Sequence, residues 1–77
     1  MKVETEAGLA KLSHAVGRLG HDDERLRDAV VTLYRSGELV GRIVCASDDL
    51  AWDAYRICAG IRYRNEFSEA EPLALAA

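Results

Sequence analysis

"AVVTLYRSGELVGRIVCAS", residues 29–47, decides the fold of this chain because it reads in two ways. As helix, residues 23–35 place Leu26, Ala29, Val30, Leu33 and Tyr34 at the i, i+3, i+4, i+7, i+8 spacing of one apolar face, capped by Asp22 and ended by Gly37. As hairpin, a two-residue Ser36-Gly37 loop pairs Arg35 with Glu38, Tyr34 with Leu39, Leu33 with Val40, Thr32 with Gly41, Val31 with Arg42 and Val30 with Ile43. That register joins opposite charges next to the loop and gathers Tyr34, Leu39, Val30 and Ile43 on one face.

The hairpin is the stronger reading. Val30-Val31-Thr32-Leu33-Tyr34 and Ile43-Val44-Cys45 are rich in β-branched and aromatic residues, which lose rotamer freedom in a helix and fit a pleated sheet. A helix over residues 38–45 would also carry Gly41 in its middle, at a cost of roughly 1 kcal/mol relative to Ala. The preceding residues, Asp22 to Asp28, are expected to form a loop or a short helical turn.

Two helices flank the hairpin. Over residues 5–19, with Thr5 as N-cap and Gly20 as stop, Leu9, Leu12, Ala15, Val16 and Leu19 fall within about 120° of arc. The second helix starts at Ser47-Asp48-Asp49, where a hydroxyl meets free amides and two carboxylates suit the positive helix end, and is expected to run to about Asn65. It is apolar on two sides, with Leu50, Ala54, Ile57, Cys58 and Ile61 on one and Trp52, Tyr55, Ala59 and Tyr63 on the other. Such a helix demands cover on both.

The expected architecture is therefore α+β: one small two-layer α-β-β-α domain over residues 1–77, with an antiparallel hairpin and a frayed C-terminal tail at 66–77. A two-stranded sheet is marginal in water, and a chain of this length buries only about 60% of its unfolded surface, so pairing with a second copy is expected. The alternative is an all-α helix-turn-helix bundle. "LYRSGELVGRIVCASDDLAWDAYRI" resembles the helix-turn-helix of transposases and regulators, which implies a recognition helix over residues 49–63 and DNA as partner. Asp48 and Asp49 at the head of that helix would face phosphates, which opposes it.

Composition narrows the function classes. The formal net charge is −3, and the ten Lys and Arg are spread among thirteen acids, poor material for phosphate binding. No apolar run approaches the roughly 18 residues of a membrane span, and the first residues lack a signal-peptide core, so a cytoplasmic location without membrane contact is expected. His14, His21, Cys45 and Cys58 invite a zinc site, but the histidines lie seven apart and the cysteines thirteen, without the short spacing that presents two ligands from one turn. The glycines never cluster into a phosphate cradle, and Asp22, Asp23, Glu24, Asp48, Asp49 and Asp53 follow no calcium-loop pattern. No metal, no cofactor and no enzyme activity is expected.

Three of the five aromatic residues, Trp52, Tyr55 and Tyr63, share one side of one helix with Arg56 beside them, and these residue types dominate interface energies. They are the expected partner-binding residues of a non-enzymatic interaction or regulatory module that self-associates and binds a protein. The final Leu73-Ala74-Leu75-Ala76-Ala77 looks like the Leu-Ala-Ala end of bacterial degradation tags, a resemblance of five residues that implies a degradation signal in a bacterial protein.

Overall fold

A computed structural model describes the backbone of residues 1–76 and the side chains of residues 1–65. In chain order the elements are β1 (Lys2–Val3), α1 (Glu6–Val16), β2 (Asp23–Arg27), β3 (Val30–Arg35), β4 (Glu38–Cys45) and α2 (Asp48–Ala76). The strands form one four-stranded mixed sheet in the order β1-β4-β3-β2, so the fold is α+β. α2 runs to Ala76, past the end expected near Asn65, and the side chains of the tail expected to fray, 66–77, lie outside the described residues.

The β3/β4 hairpin is present with Ser36 and Gly37 at its tip, and their φ values of 52° and 83° give the left-handed turn whose twist matches the flanking strands. Arg35 faces Glu38 and Tyr34 faces Leu39, as expected. Between Leu33 and Tyr34 the register then slips, so that Leu33 faces Gly41, Thr32 faces Arg42, Val31 faces Ile43 and Val30 faces Val44. Val40 is the extra residue of a β-bulge. The slip overturns the expected grouping of Ile43 with Tyr34 and Val30, because a one-residue shift moves every later side chain to the other face. Val31, Leu33, Ile43 and Cys45 point into the core, while Val30, Thr32, Tyr34, Leu39 and Val44 stand on the outer face.

Two strands escaped the sequence reading. Residues 23–27 are not a loop or helical turn but edge strand β2, paired antiparallel with β3 from Asp23 facing Tyr34 to Arg27 facing Val30. The two residues of β1 lie parallel to β4, with Lys2 facing Val44 and Val3 facing Cys45. These strands also rule out the helix-turn-helix bundle, whose first two helices would occupy residues 23–45.

Both helices cover one face of the sheet. Leu12 and Val16 of α1 meet Val3, Val31, Leu33 and Ile43 from the sheet and Ala51, Ala54, Cys58 and Ile61 from α2. α1 ends at Val16 with Gly17 as its C-cap, earlier than Gly20, which frees Leu19 to cross the sheet over Gly41. A Cβ on Gly41 would stand 2.8 Å from the Leu19 Cδ1. The α2 start follows expectation: the Leu50 amide donates to the Ser47 hydroxyl at 3.2 Å, and Asp48 and Asp49 occupy the first turn. No described helix is long and apolar enough to cross a membrane.

Candidate interaction surface

The two apolar sides of α2 meet different fates. Ala51, Ala54, Cys58 and Ile61 are buried against the sheet and α1. The aromatic side stays open instead: Trp52, between Glu6 of α1 and the turn after β2, is 53% exposed and Tyr63 62%. The Trp52 and Tyr55 rings pack edge to face, 6.0 Å between centroids at 76°. Arg56, also exposed, lies 3.6 Å from Asp53. Of the four expected partner-binding residues, Trp52, Tyr63 and Arg56 are solvent-accessible, and Tyr55 is half-buried as the inner wall of the flank.

A groove of about 390 Å³ opens between this flank and the β2/β3 turn, lined by Trp52, Tyr55 and Asp48 on the helix side and by Leu26, Arg27, Asp28 and Ala29 on the sheet side. The exposed side of α2 is thus continuous with the edge of the sheet. The turn holds Asp28 and Ala29 at φ 51° and 61°, a left-handed pair that fixes the direction in which β3 returns.

Beneath the flank lies a buried polar cluster. Glu24, 7% exposed, points inward from β2 and receives a bidentate pair from Arg62 of α2, with Nε to Oε2 at 2.9 Å and Nη2 to Oε1 at 3.0 Å. His21 Nε2 lies 3.0 Å from the Cys58 carbonyl oxygen, to which it donates, and 3.4 Å from Glu24 Oε2. Nδ1 of the same ring is buried with no hydrogen-bond partner among the described residues. The Cys58 thiol is pushed up to about 12, first by burial and then by the charge of Glu24 and the neighbouring Cys45, whose own thiol burial raises. Both shifts favour the protonated thiol at neutral pH.

Sequence reasoning missed Glu24 and Arg62, which are 38 residues apart and carry no local signal. Of the four side chains considered for zinc, the fold brings His21, Cys45 and Cys58 towards one region, but His14 stays on the exposed side of α1. Among the described residues no group of three or more His, Cys, Asp or Glu side chains is arranged to share a metal ion. No family model, curated protein or solved structure matches the chain.

Proposed function

We propose that this chain is a small, non-catalytic, cytoplasmic interaction module that works by binding polypeptide, and that a second copy of itself is the partner of the α2 flank. The observation that carries the reading is the exposure of Trp52 and Tyr63 on one side of α2, whose Trp52 end borders edge strand β2. Large exposed aromatics next to an open strand edge are the materials of a protein interface.

The sequence of that edge favours self-pairing. Asp23-Glu24-Arg25-Leu26-Arg27, laid antiparallel on its own copy about Arg25, sets Asp23 opposite Arg27 of the second copy twice over. Opposite charges across strands contribute about 0.2–1 kcal/mol per pair. Arg25 leans away, its Nε 3.2 Å from Asp23 and its guanidinium 4.9 Å from the Tyr34 ring centroid, which relieves the repulsion of the two central arginines. The joined sheets would bring the two aromatic flanks together.

Sedimentation equilibrium tests the proposal. The wild-type chain is expected to form a dimer, and Trp52→Ala/Tyr63→Ala to weaken it by about thirtyfold, as truncating a hot spot of about 2 kcal/mol does, with unchanged far-UV circular dichroism. A chain that stays monomeric at high concentration, or a variant that dimerises equally well, overturns it.

A further inference from the structure

The helices cover one face of the sheet, and nothing among the described residues covers the other. Strand pairing sorts that outer face into rows. Asp23, Tyr34 and Leu39 form the first, Arg25, Thr32 and Arg42 the second, and Arg27, Val30, Val44 and Lys2 the third. Leu39 is 56% exposed and Val44 39%, both on β4, with β3 between them and the β2 edge.

Charge is segregated onto this face. Lys2, Arg25, Arg27 and Arg42 stand against Asp23 and, in the adjoining turn, Asp28, which gives the face a formal +2. Since the chain as a whole carries −3, the remainder carries −5. Arg27 keeps 92% of its side chain exposed, with Asp28 no nearer than 3.7 Å, but it is also the group the second copy engages, so the exposed Lys2 and Arg42 are the cations left wholly to this face. The centre of the face is a shallow trough of about 550 Å³ floored by Val30, Thr32 and Tyr34.

We infer that the outer sheet face is a docking site for an acidic polypeptide segment with aliphatic side chains. Its centre is apolar and its rim cationic, the arrangement of a protein interface. A second copy presenting the same face is disfavoured because like charges would meet. A single-stranded nucleic acid needs a stacking platform, and the one aromatic here, Tyr34, is half-buried with the Arg25 guanidinium already over its ring. The −5 elsewhere on the molecule also repels a polyanion of high charge density.

Fluorescence anisotropy with the full chain and three labelled probes tests this: an alternating Glu-Leu dodecapeptide, its Lys-Leu counterpart and a thymidine dodecanucleotide. The Glu-Leu peptide is expected to bind, more weakly as salt rises, and the Lys-Leu peptide not to bind. Leu39→Ser/Arg42→Gln is expected to weaken the Glu-Leu peptide about tenfold or more while leaving the dimer intact, since both side chains stand on the outer face of β4, with β3 between them and the β2 edge. Trp52→Ala/Tyr63→Ala is expected to keep peptide affinity, so the docking face and the α2 flank succeed or fail separately. Absence of Glu-Leu binding, or equal binding by the β4 variant, overturns the inference. Tighter binding of the oligonucleotide that is lost in the β4 variant overturns it in favour of nucleic acid, and loss of the dimer in that variant overturns it in favour of a second copy.

Discussion

Ala29 holds a φ of 61° in the β2/β3 turn, where its Cβ crowds the following carbonyl at a cost of about 1–2 kcal/mol. Glycine removes that crowding and returns part of the gain as unfolded-chain entropy. Ala29→Gly is therefore expected to stabilise the fold by about 0.5 kcal/mol or more and to raise the melting temperature by ~2–4 °C in a thermal scan. Cys58 gives a pH prediction. Its folded-state ionisation lies near 12 against an ordinary 9.0, so above 9.0 the unfolded chain loses a proton that the folded chain keeps. The stability Cys58 contributes is complete below 9.0 and is lost as pH rises through that window towards 12. Denaturation midpoints are expected to fall between pH 9 and 11 in the wild type and to fall less steeply in Cys58→Ala.

At the scale of elements, α2 and the β3/β4 hairpin were legible because their signals are local. Ser47 caps its own helix three residues on, and the Ser36-Gly37 turn sits between two β-branched runs. β2 was illegible because its inward charge, Glu24, breaks the alternation of apolar and polar residues, and the partner that makes Glu24 an inner residue is Arg62 on another element. The same pair gives a test of what holds the edge strand. Removing one partner of a buried ion pair leaves a desolvated charge behind, so Arg62→Ala is expected to cost ~3 kcal/mol in urea denaturation. Glu24→Gln/Arg62→Ala is expected to cost less than Arg62→Ala alone, because it removes the stranded carboxylate. The bulge at Val40 was equally hidden: nothing around residue 40 announces it, and Leu19, seated over Gly41, shows what the displaced register accommodates.

For the whole molecule, the layering decides which surfaces are left to partners. With both helices on one side, the molecule has an aromatic flank along α2 and an open cationic sheet, and the two are expected to be separable by mutation. The aromatic flank was legible in the helical spacing of Trp52, Tyr55 and Tyr63, though its exposure was open while α1 stood as a possible cover. The cationic face was not legible, because Lys2, Arg25, Arg27 and Arg42 come from three strands, two of them unrecognised in the sequence. By itself the sequence determined the α+β class, the hairpin tip, the start of α2 and the aromatic stripe, since each rests on residues within a few positions of one another. Only the tertiary structure decided the other two strands, the register beyond the bulge, the Glu24–Arg62 pair and the segregation of charge. All of these depend on contacts between residues far apart in the chain, for which local propensity and periodicity carry no signal.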